Sequence, residues 1–469
     1  MTLSLYDSFS RTSKHMKPLT GNTFRMYLCG ATVQGQPHVG HMRSTLVFDV
    51  LRNWLEYLGY SVTLIRNVTD IDDKILHTAV HEERPWWAVA SHYEREFQWA
   101  YAELGCKAPT AEPRATGHIT QIIQLAERLI ARGHAYESEG DVYFDVRSFS
   151  EYGALTRQNP DDMESSADSA HESKKRDSRD FALWKKAKPN EPSWPSPWGE
   201  GRPGWHIECS AMAHTFLGET FDIHGGGLDL MFPHHENEIA QSKAAGYEFA
   251  STWLHNSWVT QSGEKMSKSL GNSLVVREVL ERIKPIELRW YLLSAHYRSN
   301  LEFSDESMFD AAAAFGRITG FLTRAISIVG DVDLESVTID AAFAVAMNND
   351  LSLPEAFAVL HEQVSEGNLA LSNNDTETVM KKLRQVRKML QILGVDPILW
   401  ASRSEDLKDY KDVIEHLVQQ KITERAQARE HKDWQAADRI RDELRNAGIE
   451  LDDTADGTRW NISKDSNGR

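Results

Sequence analysis

Thr23-Phe24-Arg25-Met26-Tyr27-Leu28-Cys29 reads as a short strand, and it runs into a glycine-containing turn ending at Pro37-His38-Val39-Gly40-His41. Over residues 42–58 apolar side chains then recur at helical spacing, at Leu46, Val47, Val50, Leu51, Trp54, Leu55 and Leu58. Gly59 follows where a helix commonly ends on a residue free to turn left-handed. Residues 61–65 supply a second, β-branched strand. Strand, helix, strand in so short a span is a βαβ unit. Parallel neighbours need such a crossover, so the sheet is parallel and the fold α/β.

Working outward, residues 119–132 read as an amphipathic helix ending at Gly133, and 141–146 as a strand. Residues 159–180 are polar and carry charge runs, the pattern of a mobile surface loop. Residues 192–203 mix Pro, Trp and Gly and are expected to be irregular. A second Gly-rich turn is expected at 225–227, with a helix from about Glu236. Residues 305–395 look nearly all helical, a helical bundle. An acidic linker at 405–409, further charged helix over 410–448 and a terminal hairpin at 449–462 complete the chain.

A chain of 469 residues is too long for one core, so two to four domains are expected. Apolar residues at 41% and charged residues at 26% are those of a globular enzyme and exclude a disordered or fibrous chain. No stretch approaches the ~18 uninterrupted apolar residues of a membrane span, and the N-terminus lacks a signal-peptide pattern. Three widely spaced cysteines, Cys29, Cys106 and Cys209, argue against a disulfide framework and for a reducing compartment. The cytoplasm is expected. A net charge of -17 runs against nucleic-acid binding in the far field, although a local basic stripe can still hold RNA.

Three features carry chemistry. His38 and His41 flank Gly40 before the first long helix. A helix N-terminus attracts phosphate, two imidazoles can stabilise charge developing there, and glycine admits a nucleotide close to the backbone. Two surface histidines near a turn are the stronger reading of that tetrapeptide by itself. Lys265-Met266-Ser267-Lys268-Ser269, bounded by Gly263 and Gly271, suits a clamp for pyrophosphate, and an ordinary solvated loop fits as well. His234 and Glu238, four apart on a predicted helix, point to one face. Cys29 ends a strand, Cys209 lies upstream, and the C-terminal ends of parallel strands converge, so Cys29, Cys209, His234 and Glu238 make a reasonable zinc set. His235 and Glu236 are competing ligands, and Ile239 breaks the HExxH pattern of zinc proteases. On spacing alone, two structural thiols and unrelated histidines remain the stronger reading.

HxGH followed by KMSKS resembles the two ATP motifs of class I aminoacyl-tRNA synthetases. Cys29-Gly30-Ala31-Thr32, Asn67-Val68-Thr69-Asp70-Ile71-Asp72-Asp73-Lys74, Trp194-Pro195-Ser196-Pro197-Trp198, Gly204-Trp205-His206-Ile207-Glu208-Cys209-Ser210 and His224-Gly225-Gly226-Gly227-Leu228-Asp229 narrow the resemblance to the cysteinyl-tRNA synthetase family, over essentially the whole chain. The resemblance implies a Rossmann-type parallel-sheet catalytic domain with an inserted connective region, then an α-helical bundle and a small C-terminal anticodon-binding module. In this sequence that means catalytic halves at 1–115 and 205–260, a connective insertion at 116–204 and a stem-contact region at 261–310. The bundle would span 311–404 and the anticodon module 405–469.

The implied reaction joins L-cysteine to tRNA(Cys) at the expense of ATP, through a cysteinyl-adenylate. His38, His41, Lys265 and Lys268 would be catalytic. Thr32, Gly40, Thr69, Trp205, His224, Gly227, Asp229, Val259 and Lys268 would bind substrate and ATP. One Zn2+ per chain would sit on Cys29, Cys209, His234 and Glu238, with Mg2+ accompanying ATP. The resemblance further implies a monomer with no membrane partner, and no inserted editing domain is apparent. Metal chemistry would separate cysteine from serine better than pocket size does. Arg425, Arg429, Arg439, Arg441 and Arg445 could reach anticodon phosphates and Trp434 could stack on a base, although a solvated helix with a core tryptophan is preferred for any one of them. Cys106 reads as structural.

Two departures stand out. HVGH replaces HIGH, one methylene smaller, and Val33-Gln34-Gly35-Gln36 stands where many members carry a Tyr-Asp pair. A ligase joining cysteine to an amino-sugar shares the zinc and ATP motifs, but it needs no segment like that after Tyr410. A non-catalytic paralogue would lack the motif residues.

Overall fold

The computed structural model describes residues 2–163, 173–261, 263–265, 274–446, 449–454 and 457–462. They fall into two compact units, residues 1–396 and 397–469. The polar runs at 164–166 and Glu172, and the segment 266–273 with Lys268, lie outside the described residues.

The first unit opens with an antiparallel hairpin, β1 (Ser4–Asp7) and β2 (Thr12–His15). Its central sheet has four parallel strands in the order β10 (Phe249–Asn256), β9 (Thr220–Gly227), β3 (Thr23–Leu28), β4 (Ser61–Arg66). Helix α1 (Val39–Tyr57) makes the crossover from β3 to β4, one turn earlier than the apolar period suggests. It ends through Leu58, and Gly59 follows at φ +90°. Leu46, Val50, Leu51, Trp54 and Leu55 are fully buried, as the spacing predicts. Helices α2 (Asp73–His81) and α3 (Trp86–Glu103) follow β4.

Between α3 and β9 the chain forms a second layer. Helix α4 (Ile119–Ala131) covers an antiparallel sheet of β5 (Ala135–Ser138), β6 (Asp141–Phe144), β7 (Phe181–Lys186) and β8 (Gly201–Pro203). Their core also takes in Ile207 and Ala211 of α5 (Ile207–Leu217) and Ala240 and Ala244 of α6 (Glu236–Ala244). The expected loop at 159–180 is structured at its end. Asp180 is fully buried and accepts hydrogen bonds from Tyr136 and the Val146 backbone. Part of the segment expected to be irregular pairs as β8.

The glycines at 225–227 are not a turn; they continue β9, one of the two inner strands of the sheet. A side chain at Gly225 would stand 2.2 Å from the Phe48 ring, and one at Gly226 2.8 Å from His235. Both positions are glycine because neighbours already occupy the Cβ space.

Downstream lie β11 (Val259–Gln261), β12 (Glu264–Lys265), α7 (Val276–Leu280), α8 (Pro285–Leu292) and β13 (Leu301–Glu302), with the small sheet ordered β12-β11-β13. Helices α9 (Asp305–Val329), α10 (Ala341–Asn348), α11 (Leu353–Ser372) and α12 (Thr376–Leu393) form the expected helical part. By length and composition α9 could cross a bilayer, yet Met308, Phe315, Ile318, Phe321, Leu322 and Ala325 along it are buried in the main core. The spacing of these residues is that of a helix packed on one side.

The second unit is α13 (Pro397–Glu430), α14 (Trp434–Asn446) and the hairpin of β14 (Ile449–Thr454) and β15 (Gly457–Ile462). Val418, Ile422, Ile440 and Leu444 form its core, with Trp460 packed on them. Helix α13 runs unbroken through 405–409, so the acidic run is helix and not a linker.

Asp73, the first residue of α2, pairs with Arg202 on β8 and lies 2.9 Å from Lys185 on β7. Burial pushes its pKa up, but the two cations outweigh burial and hold it at about 2, below the usual 3.8. A depressed carboxylate stabilises the fold above its unfolded pKa and loses that contribution as pH falls through the folded value. The gap in thermal midpoint between wild type and Asp73→Asn is therefore expected to be full near neutral pH and to close between about pH 4 and about pH 2. Thermal melts across that range check it; a gap that widens on acidification would refute the pairing.

Candidate active site and metal centre

A cavity of about 590 Å³ opens at the C-terminal ends of β3, β4, β9 and β10, where ligands of open α/β sheets gather. Cys29 and Thr32 follow β3, Asn67 and Thr69 follow β4, Gly227 ends β9 and Asp229 follows it, and Asn256 ends β10, with Ser257 and Trp258 leading to Val259 of β11. All of them line it. Trp205, Cys209, His234, His38, Gly40 and His41 add to the lining from the starts of α1 and α5 and from the turn before α6. Thus the expected residues Thr32, Gly40, Thr69, Trp205, Gly227, Asp229 and Val259 come together on one wall or another of a single space. Its volume suits a ligand the size of a nucleotide.

Along one side, His38 caps α1 and His41 sits in the first turn. Their rings stack at 3.6 Å, and His41 leans edge-on to Phe97. The His38 backbone N–H donates to His41 Nδ1 at 3.2 Å. A side chain at Gly40 would press within 3.1 Å of the His38 ring. The backbone of Val39 and Pro37 exchanges hydrogen bonds with Leu274 and Val276, so the segment that leaves the KMSKS stretch is fastened to HVGH. Lys265 lies on β12, its backbone paired with Thr260. Lys268 lies outside the described residues.

At the back of the cavity the four expected metal ligands meet. Cys29 Sγ lies 3.9 Å from Cys209 Sγ and 3.3 Å from Glu238 Oε1, and His234 Nε2 lies 3.2 Å from that oxygen. All four donor atoms are within 4.8 Å of one another. Zinc–sulfur bonds of about 2.3 Å make a tetrahedral edge of about 3.8 Å, close to the thiol separation. Burial, then the neighbouring Cys209, lifts the Cys29 thiol well above its ordinary pKa, and burial lifts Cys209 to about 11. Burial lowers His234 to about 3. Without a cation the thiols stay protonated and the imidazole neutral, and a divalent ion reverses the thiol preference. The donor set therefore fits zinc.

Cys29, His224, His235 and Glu238 also lie within 4.8 Å of one another. Of the two groups only the first presents Cys209 and His234 to the cavity; His224 and His235 stand behind it. His224 is fully buried. Its Nε2 lies 2.9 Å from Glu238 Oε2 and its ring stacks on Trp253 at 4.2 Å. It therefore orients Glu238 and does not line the pocket expected for it. His235, a competing ligand by sequence, bonds His255 at 2.8 Å. Glu236, the other competitor, accepts from the backbone of Gly153 and Thr156 and fastens the inserted layer to α6. His206 Nδ1 lies 3.1 Å from His234 Nδ1, an outer partner of the kind that fixes a ligand ring.

Sequence reasoning gave no role to Asn67 and Glu208, although both stand in the quoted segments. The Gly30 N–H donates to Asn67 Oδ1 at 2.8 Å, Asn67 Nδ2 donates to Thr69 Oγ1 at 3.3 Å, and Thr69 donates to Glu208 Oε1 at 2.7 Å. This buried chain ties the loops after β3 and β4 to the start of α5. Gly30 must be glycine, because its Cβ would fall 1.7 Å from the Asn67 carbonyl oxygen.

In the second unit, Arg425 is buried and so faces the core of that unit, whereas Arg429, Arg439, Arg441 and Arg445 are exposed. Trp434 is 58% exposed, against the expectation of a core tryptophan.

Residues 15–313 match the family described as tRNA synthetases class I (C) catalytic domain, and residues 342–395 match the DALR domain. A cysteine–tRNA ligase of Streptomyces avermitilis is 52% identical over 464 residues, covering 98% of this chain and 99% of that protein. The namesake of Streptomyces coelicolor is 51% identical over 98% of this chain and 76% of its own length. Among solved structures, a Mycobacterium tuberculosis methionyl-tRNA synthetase in complex with methionyl-adenylate superposes with a TM-score of 0.59 at 15% identity, over 80% of this chain and 90% of that one. That likeness concerns the fold. Identity above half along nearly the full length, and a catalytic-domain match across the cavity, place the chain in the cysteine–tRNA ligase family of class I aminoacyl-tRNA synthetases.

Proposed function

We propose that the protein joins L-cysteine to tRNA(Cys) at the expense of ATP, through a cysteinyl-adenylate. The observation that carries this reading is the Cys29, Cys209, His234, Glu238 cluster at the back of the cavity that His38 and His41 border. The cysteine carboxylate attacks the α-phosphate of ATP, supplied with Mg2+, and pyrophosphate leaves. A hydroxyl of the terminal ribose of tRNA then takes the cysteinyl group and AMP is released. His38 and His41, at the positive end of α1, hydrogen-bond the phosphates and stabilise charge during attack. Lys265 and Lys268 hold the departing pyrophosphate. Gly227 and Val259 offer backbone to the nucleotide, while Thr32, Thr69, Trp205 and Asp229 surround the aminoacyl portion. His224 contributes by holding Glu238. When bound by its four ligands, one zinc ion supplies affinity for a thiolate that a serine hydroxyl cannot match.

Residues 1–115 and 205–260 form the catalytic domain in this reading, with the connective insertion at 116–204 and the stem-contact region at 261–310. The bundle at 311–404 contains the DALR match. Residues 405–469 read the anticodon, with Trp434 and the exposed arginines as contacts. The protein acts as a monomer in the cytoplasm.

Cysteine-dependent ATP–pyrophosphate exchange, run beside tRNA charging with and without a zinc chelator, tests the proposal. Exchange and tRNA(Cys) charging, both lost on chelation, are the expected result. Exchange without charging of any tRNA would favour an amino-sugar ligase, and no exchange would leave a non-catalytic relative.

A further inference from the structure

Arg43 stands on α1 two residues past His41 and is 1% exposed. Its Nη1 donates to the carbonyl oxygens of Ser257 at 3.2 Å and Trp258 at 2.6 Å. Its Nη2 donates to those of His296 at 3.1 Å and Ser299 at 2.6 Å. Among the described residues no carboxylate lies within ion-pair distance of it. A buried guanidinium held only by backbone oxygens is costly, and burial lowers its pKa to about 10. It remains charged at neutral pH.

The four carbonyls belong to two segments that meet at one edge of the cavity. Ser257 and Trp258 lead from β10 into β11 and line the cavity, as does Val259. His296 and Ser299 belong to the turn before β13. The Ser257 N–H donates to Tyr297, Leu301 to Trp258 and Phe303 to Thr260, so turn and strand form one ladder. Arg43 pins that ladder to the helix that carries HVGH. A planar fork can serve carbonyls from two segments at once, which a lysine ammonium cannot do with the same geometry.

We propose that Arg43 is a positioning residue for the nucleotide: it fixes the backbone of residues 257–259 against α1, setting the distance between the wall that carries Val259 and the histidines of HVGH. The inference rests on the reading of this cavity as the ATP site. It assigns Arg43 no contact with substrate.

The test is steady-state ATP–pyrophosphate exchange on the zinc-loaded full chain, with ATP and cysteine varied separately, for wild type, Arg43→Lys and Arg43→Met. Amide hydrogen exchange at Leu301 and Phe303 is measured on the same proteins. For Arg43→Lys the KM for ATP is expected to rise about tenfold, with the KM for cysteine within about twofold and kcat within about threefold of wild type. The two amides are expected to exchange at least about tenfold faster. Unchanged ATP KM with unchanged amide protection overturns the inference, and so does an equal rise in both KM values. If Arg43→Met fails to fold, Arg43→Lys decides alone. A wild type without exchange activity would overturn the ATP-site reading, and the amide rates would still decide whether Arg43 sets this wall.

Discussion

Cys209→Ser is expected to lower cysteine-dependent ATP–pyrophosphate exchange by at least about a hundredfold, since even outer partners of a metal site cost about 10–100-fold. The substitution changes one atom at a site 1% exposed, so packing around Tyr27, Met212 and Phe221 is nearly preserved. What changes is donor chemistry. A thiol gives up its proton to a divalent cation, whereas a serine hydroxyl holds its proton far more tightly and is a harder, shorter donor. The Cys29–Cys209 separation of 3.9 Å would no longer match two sulfur bonds. Zinc content per chain should fall along with exchange, which separates a lost ligand from a damaged fold. Cys106→Ser supplies the control. Cys106 is half-buried and outside the donor set, so exchange and zinc content are expected to stay within about twofold of wild type. Wild-type zinc content and exchange in Cys209→Ser would sink the metal assignment.

That site was legible in the sequence to an uneven degree, and the reasons are physical. The βαβ unit could be read because α1 carries apolar residues at helical spacing between two short strands, although burial runs all round the helix, unbroken from Thr45 through Leu51. Cys29, Cys209, His234 and Glu238 span over two hundred positions, so spacing alone left their convergence open; the family resemblance named them, and the cavity brings them together. Local signals misled where tertiary contacts decided. Glycine is the strongest turn signal, yet Gly225 and Gly226 are strand residues because Phe48 and His235 fill their side-chain space. Charge at 405–409 suggested a linker, but helix formation tolerates charge and α13 continues through it. His224 was expected to line the pocket; its partner Glu238 turns it inward. The Gly30, Asn67, Thr69, Glu208 chain could not be read at all, because no local pattern announces a hydrogen bond between positions 69 and 208.

The second large effect concerns stability. Arg289→Met is expected to destabilise the first unit by about 3–5 kcal/mol, the usual cost of removing one partner of a buried ion pair. Arg289 on α8 is fully buried and lies 2.5 Å from Asp49 on α1, itself 4% exposed. Its remaining donors reach the Leu393 and Leu104 carbonyls, both at 3.0 Å. One guanidinium therefore closes the ends of α3 and α12 and the middle of α1 around α8. Methionine fills the stem but leaves the Asp49 charge buried with, among the described residues, the Lys107 N–H alone as hydrogen-bond donor, and two carbonyls lose theirs. Gly394 follows α12 at φ +72°, and a Cβ there would stand 2.2 Å from the guanidinium. The urea midpoint should fall with little change in slope. Asp49→Leu combined with Arg289→Met should recover part of the loss, because two apolar groups leave no buried charge behind. A coupling of about 1–3 kcal/mol in that double-mutant cycle is expected. Strict additivity, or a single mutant that unfolds at the wild-type urea concentration, would show that this pair does not hold the helices together. Exchange activity of the folded variant should remain, since neither residue lines the cavity. That outcome separates the elements that build the site from the side chains that perform its chemistry.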